Sequence, residues 1–433
     1  MTQESLPFSI SLDLALDGAG SPATQSYQAA LAKADAALDW LKKSAADKSL
    51  ELLGIPARTD DLAEARKVAA KLATDTTDIV VFGIGGSSLG GEALTDLLPF
   101  GSAHRPRVHF CANPDPFTLG DVLGHVDLKT TRFVAISKSG GTAETLLQTL
   151  AAADAIEKAG GGKWLKDHFA IITEPHDSAL RKFAQSIGAP VLDHPTGVGG
   201  RYSVLTMVGV LPALLMGLDV DALRVGAQQT LDAALAAKSA KDCAPATGAA
   251  LHHALASDGK LHETILWCYA DRLKTFGPWW RQLWAESLGK DGKGSTPVAA
   301  LGPVDQHSQL QLYLGGPADK LYTLVSTGTD GEGPAAPAAR AKELGLDYLA
   351  GRHAGDLVAA EVRATAETLH KNGRPVRRMH VPKVDERSMG ALMMHFMLET
   401  MLMGKLMGVD PFNQPAVEEG KILARKYLEE SGK

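Results

Sequence analysis

The chain has 433 residues, with 44 Lys and Arg against 50 Asp and Glu, a formal net charge of −6, 45% apolar residues and 22% charged ones. These proportions exclude disordered and fibrous classes, and the length suggests two or three domains with cores that need no covalent staples. The acidic balance argues against a duplex-wide basic surface, so nucleic acid is not an expected partner.

The opening segment, MTQESLPFSISLDLAL, has no cationic region and carries Glu4 and Asp13, so it does not read as a secretory signal. Residues 1–75 are rich in Ala and Leu with interspersed charges, which predicts a segment of amphipathic helices. The pattern then changes. Short runs rich in Val, Ile or Phe lie at Ile79 to Phe82, Val108 to Ala112, Phe133 to Ser137 and Phe169 to Thr173, with helical stretches between them. Buried strands alternating with helices predict a parallel α/β sheet. The most apolar run, Tyr202 to Gly217, is shorter than the roughly 18 residues of a membrane span. Ser203, Thr206 and Pro212 interrupt it, so a buried helix is expected and no membrane partner.

Beyond the helical stretch Leu218 to Ala256, a second strand series follows at Thr264 to Tyr269, Thr296 to Ala300, Leu321 to Ser326 and Val376 to Val381. Gly328 to Ala339 reads as a surface loop, and the Met-rich stretch Met389 to Met407 as helical core. The predicted organisation is a helical segment (1–75), a first α/β domain (76–217), a second (218–410) and a C-terminal helix (411–433).

Cys111, Cys243 and Cys268 stand far apart with no C-x-x-C, which excludes a disulfide framework and a cysteine-built zinc site. A cytoplasmic protein is expected. His252, His253 and His262 lack H-E-x-x-H or any ligand spacing, so no metal is assigned.

Two glycine-rich loops each follow a strand and open a helix. VFGIGGSSLGG (Val81 to Gly91) resembles a dinucleotide fingerprint but fails it, because the sixth position counted from Gly83 is Ser88. ISKSGGTAETL (Ile136 to Leu146) supplies hydroxyls from Ser137, Ser139 and Thr142, and backbone N–H groups at Gly140 and Gly141. With the partial positive charge of a helix N-terminus, that set suits a phosphate monoester. No Walker string is present, and a plain N-cap needs only one of the hydroxyls.

Charged groups also fall on apolar faces. In PWWRQLWAESLGK (Pro278 to Lys290), Trp279, Leu283 and Glu286 share one helical face. A carboxylate there is either a general base or half of a structural ion pair with Arg281 or Lys290. In QPAVEEGKILARKYL (Gln414 to Leu428), Val417, Lys421, Ala424 and Leu428 form one stripe, which turns Lys421 inward unless it snorkels. Arg201, after paired glycines in TGVGGRYS, can clamp an oxyanion or pair with a surface carboxylate. His307, in DQHSQ, sits among polar neighbours, where a surface residue is as natural as a catalyst.

Taken in order, GIGGSSLG, SKSGGTAET, GVGGRYSVLT, AESLGK, the Gln306–His307 pair and FNQPAVEEGK resemble the glucose-6-phosphate isomerase (phosphoglucose isomerase) family from about Ile79 to Lys426. The resemblance implies two three-layer α/β/α sugar-isomerase (SIS) domains with helical extensions. It implies interconversion of glucose 6-phosphate and fructose 6-phosphate in glycolysis and gluconeogenesis, with no cofactor. Ser137, Lys138, Ser139 and Thr142, with Gly86 and Ser87, would then hold the sugar phosphate. Glu286 would move a proton between C2 and C1 through a cis-enediolate that Arg201 stabilises. His307 and Lys421 would open the ring, Glu144 would orient His307, and Gln282 and Gln414 would contact substrate. The resemblance further implies a homodimer in which His307 serves the neighbouring subunit's site. The chain departs from the family pattern in GPVDQH (Gly302 to His307), where G-T-N-G-Q-H is usual. It also departs at Ala416 and Glu419, where Gly and Leu are usual. Two other readings remain: a non-catalytic SIS sensor of sugar phosphates, and a dual isomerase that also takes mannose 6-phosphate.

Overall fold

Two runs of strands build two five-stranded sheets in a computed structural model that describes residues 6–99, 101–104 and 106–431. The strands are β1 (Ser9–Ser11), β2 (Asp78–Phe82), β3 (Arg107–Cys111), β4 (Thr131–Ile136), β5 (Phe169–Thr173), β6 (Val191–Asp193), β7 (Glu263–Cys268), β8 (Thr296–Leu301), β9 (Lys320–Thr327) and β10 (Val376–Val381). The first sheet runs β3-β2-β4-β5-β6 and is wholly parallel. The second runs β1-β10-β9-β7-β8 and is parallel except for β1, which pairs antiparallel with β10.

The central strands read as unbroken apolar runs because both of their faces are covered. In the first sheet, Ile79, Val81, Val134 and Ile136 pack into one core, while Val80, Phe82, Phe133 and Ala135 pack into another on the opposite face. In the second, Leu266, Val325 and Met379 face the first core, while Ile265, Trp267 and Tyr322 face a third. One large core therefore joins the inner faces of both sheets, through the helices Met207–Leu215, Phe276–Leu288 and Glu386–Met407. The architecture is the expected three-layer α/β/α arrangement, twice.

Residues 1–75, expected to be helical throughout, give the helices Thr24–Ala46 and Asp60–Ala73 but also the strand β1. Three residues are too few for periodicity to separate a strand from a loop, and only the distant β10 edge makes Ser9–Ser11 extended.

Both sheets start in the same way. From β2 the chain goes to β3 on one side and then to β4 on the other; from β7 it goes to β8 and then to β9. Strand order reverses between β2 and β4, and between β7 and β9. Crevices outside the carboxyl ends of strands at such reversals are where open α/β sheets bind ligands.

Behind the second sheet lies a buried ionic cluster. Arg377 on β10 donates to Glu399 Oε1 and Oε2 at 2.7 and 2.8 Å, and to Thr323 Oγ1 at 3.0 Å. His395 Nε2 lies 3.0 Å from Glu399, and His252 Nδ1 lies 3.4 Å away. Burial pushes the Glu399 carboxyl up, but Arg377 and the two histidines outweigh it and hold the group at about 2.

Candidate active site

The two glycine loops flank the β2/β4 crevice. After β2, Gly85 turns with φ +60°, and a single turn Gly85–Ser87 leads into the helix Leu89–Thr95. A Cβ on Gly86 would lie 2.2 Å from the Gly200 carbonyl carbon and 2.6 Å from Arg201 N. Glycine at 86 thus lets this loop rest directly on the turn that carries Arg201. After β4, Gly140 also takes φ +60°. Thr142 is the N-cap residue of the helix Ala143–Lys158, yet its side chain makes no capping bond. Instead, its hydroxyl lies 2.8 Å from Ser137 Oγ, and Ser139 Oγ accepts from Gly141 N at 3.3 Å. Lys138 Nζ stands 3.6 Å from Glu174 Oε1 beside the loop. The hydroxyls cluster in front of a helix N-terminus without being consumed by it, as an anion site requires.

Arg201 and Glu286 meet at the junction of the two sheets' layers. Arg201 follows the paired glycines in the turn Gly200–Leu205, and its side chain is only 2% exposed. It uses all five donors. Nε donates to Ser287 Oγ at 2.7 Å, and Nη1 donates to Glu286 Oε2 at 3.2 Å and Gln414 Oε1 at 2.9 Å. Nη2 donates to the carbonyls of Pro411 at 2.6 Å and Asn413 at 3.1 Å. This is no surface pair: the guanidinium is fixed in a buried socket.

Glu286 sits on the helix Phe276–Leu288, which anchors itself in the core through Trp279, Trp280, Leu283 and Trp284. Its side chain is 33% exposed. Gln282 Nε2, one turn back, donates to Oε1 at 2.9 Å, so each oxygen has one fixed donor and spare lone pairs. The alternative, an ion pair with Arg281 or Lys290, is not formed: Arg281 is exposed, and Lys290 bonds backbone carbonyls instead. Tyr202 Oη lies 3.0 Å from Ser287 Oγ, and burial pushes its phenol up to about 12, so it stays neutral.

The remaining predicted residues lie outside this cluster. His307 follows β8, exposed between the turn Val304–Gln306 and the helix Leu310–Gly315. Its neighbour Gln306 is tied inward, with Nε2 donating to Tyr269 Oη at 2.9 Å and Thr365 Oγ1 at 2.6 Å. Glu144 is partly buried in the first turn of its helix, and no hydrogen bond joins it to His307. Lys421 does not point inward. Its side chain is 67% exposed and bonds Glu418 Oε1 at 2.7 Å. The helix Glu418–Ser431 buries none of its residues and leaves Ile422, Tyr427 and Leu428 exposed too. Spacing identifies residues that share a face; it does not supply a surface for that face to cover.

Ser287, Tyr202 and the carbonyls at 410–413 escape the sequence reading, and Lys290 enters it only as a candidate ion-pair partner of Glu286. The signal available for Ser287 was a small hydroxyl among the apolar residues of a helix, adjacent to Glu286. Among the described residues, no group of three or more His, Cys, Asp and Glu could hold a metal ion, and no helix is long and apolar enough to cross a membrane. The three cysteines are free and buried.

The family model described as phosphoglucose isomerase matches residues 60–307, more than half of the chain. The chain belongs to the phosphoglucose isomerase family. A curated glucose-6-phosphate isomerase from Rubrobacter xylanophilus is 38% identical over 376 residues, covering 85% of this chain and 86% of its own. One from Thermus thermophilus is 36% identical over 392 residues, covering 89% and 92%. Among solved structures, a hypothetical protein from Thermus thermophilus superposes with a TM-score of 0.86 at 33% identity, over 97% of this chain and 99% of its own. A glucose-6-phosphate isomerase from Chlamydia trachomatis shares the fold, with a TM-score of 0.82 at 20% identity over 99% and 90%. The phosphoglucose isomerase match spans the two glycine loops, Arg201 and Glu286.

Proposed function

We propose that the chain interconverts glucose 6-phosphate and fructose 6-phosphate through a cis-enediolate, as a cytoplasmic enzyme of glycolysis and gluconeogenesis. The observation that carries this reading is the Arg201–Glu286 pair against the loop after β2, the strand next to the one that leads into the hydroxyl-lined loop. Aldose–ketose isomerisation needs a base, a fixed cation for the enediolate and an anchor for the phosphate. Ser137, Lys138, Ser139 and Thr142, with Gly86 and Ser87, hold the phosphate. Glu286 takes the proton from one carbon and returns it to the next. Arg201 is already oriented by its buried bonds, so it meets the developing charge without reorganising. Gln282 and Gln414 fix the carboxylate and guanidinium, and face the sugar. His307 and Lys421 open the ring, with Glu144 orienting His307.

His307 and Lys421 are both exposed on the single chain, beside exposed Val304 and Leu312 in one case and Ile422 and Leu428 in the other. We read this as a site completed in a homodimer, with His307 serving the partner. The two sugar-isomerase domains divide near Gly217, with β1 returning to the second. A phosphate sensor would have no use for a carboxylate and guanidinium fixed against each other.

The test is isomerase activity of the EDTA-treated protein on fructose 6-phosphate, read by coupling glucose 6-phosphate to its NADP-dependent dehydrogenase. The wild type should turn over, while Glu286→Gln should bind but not turn over. An undiminished rate in that variant would sink the assignment. Sedimentation of an active monomer would overturn the shared His307, and fructose 6-phosphate formed from mannose 6-phosphate would extend the substrate range.

A further inference from the structure

Lys290 lies just past the end of the helix that carries Glu286. Its ammonium group donates to the carbonyl oxygens of Glu286 at 2.9 Å, Ser287 at 2.7 Å and Asp410 at 2.6 Å. All three of its N–H groups are therefore used. The first two partners belong to the last turn of the helix, whose carbonyls have no intrahelical donors. Gly289, which follows the helix, has φ −74°, so no left-handed glycine cap supplies them. Lys290 supplies them instead.

The third partner gives this cap its reach. Asp410 opens the loop whose Pro411 and Asn413 carbonyls and Gln414 side chain hold Arg201. Lys290 thus closes a ring of contacts. From Glu286 the ring passes through the ion pair to Arg201, then into the 410–414 loop, and back through Lys290 to the backbone of Glu286. Burial, and then the charge of Arg201, hold the Lys290 ammonium below the ordinary lysine range, while Asp410, Glu286 and Asp291 oppose that shift.

We propose that Lys290 is a positioning residue for the isomerisation: it sets the spacing of Glu286 and Arg201 by binding the helix end to the loop that holds the guanidinium. This rests on the isomerase reading above. An ordinary helix cap would contribute stability alone. A spacing device must also change turnover, because a shift of about 1 Å between reacting groups can lower a rate by roughly a hundredfold.

The experiment compares wild type, Glu286→Gln, Lys290→Gln and Lys290→Arg on fructose 6-phosphate, with thermal unfolding of each. Lys290→Gln is expected to lose roughly ten- to a hundredfold in kcat with KM within about twofold, because the phosphate loop after β4 is untouched. Lys290→Arg keeps the charge but spreads its donors over a planar fork, and should fall between the two. A kcat within twofold of wild type in folded Lys290→Gln overturns the proposal, whatever happens to the melting temperature. If that variant does not fold, Lys290→Arg decides in the same way, and an unchanged kcat overturns the proposal. An inactive wild type overturns the isomerase reading and this inference together. An active wild type with an inactive Glu286→Gln and a fully active Lys290→Gln overturns this inference alone.

Discussion

Arg201 Nη1 stands 3.2 Å from Glu286 Oε2, and the two side chains differ sharply in exposure, 2% against 33%. The guanidinium is the fixed member of the pair, and the carboxylate is the one a substrate can reach. Arg201 feeds five separate acceptors in a buried socket. A lysine would keep the charge but bring only three donors on a point ammonium. Arg201→Lys is therefore expected to lower kcat by roughly 10²–10³, the scale of about 3–4 kcal/mol for removing a preorganised oxyanion donor. Initial rates on fructose 6-phosphate check this, and an undiminished kcat would take Arg201 out of the chemistry.

Gly86 offers a second, sterically defined prediction. A Cβ there would fall 2.2 Å from the Gly200 carbonyl carbon, a backbone atom that cannot rotate away. Gly86→Ala must therefore push the turn 199–201 back and carry Arg201 with it. The expected result is a loss of turnover larger than the loss of stability, measured by rates alongside urea unfolding. Wild-type activity in this variant would mean that the two loops are not in contact in solution.

Acid stability follows from two buried histidines. His194, just after β6, donates from Nδ1 to the Pro195 carbonyl at 2.9 Å, while its buried Nε2 has no partner. Burial holds it at about 4, and burial likewise holds His252 at about 4 against the attraction of Glu399. Both groups take up a proton in the unfolded chain near pH 6.5. The unfolded state thus binds more protons between pH 6.5 and 4, and the stability present above 6.5 drains away across that window. Each histidine contributes a slope of roughly 1.4 kcal/mol per pH unit. Glu399, held at about 2, loses its contribution only below the usual carboxyl range, from about 4.3 downward. Urea unfolding at pH 7, 6, 5 and 4 should show this fall. His194→Asn keeps the donor to Pro195 without the titration and should make the slope shallower. An unchanged slope would place His194 outside this account.

Strands that are buried on both faces were legible because burial leaves one continuous signature: Phe169 to Thr173 and Val376 to Val381 were located to the residue. The three-residue strands at Ser9–Ser11 and Val191–Asp193 were not, since so short a run becomes a strand only through its neighbour. The alternation of strands and helices revealed the fold class. The reversal of strand order between β2 and β4, which makes the crevice, is a property of the assembled sheet.

The site divided along a similar line. Glycine loops and a carboxylate on an apolar face are local signals, and they located Ser137, Thr142 and Glu286. The partner of that carboxylate was not local. Arg201 lies 85 positions away in the chain, and the partners that the sequence offers are the nearer cations at 281 and 290. Lys421 shows the converse: its stripe is regular, but the helix that carries it buries none of its residues, so the spacing alone does not turn the lysine inward.

Ser9 pairs with His380, and this one register fixes the order in which the molecule can be finished. The parallel sheet made from residues 78–193 has all of its strands before β7, β8, β9 or β10 has left the ribosome. β1 has nothing to pair with until β10 follows it out. At roughly 5–20 residues per second that wait lasts some tens of seconds. Ser9–Ser11 are therefore ordered long after they are made, and the second sheet closes only once β10 has followed.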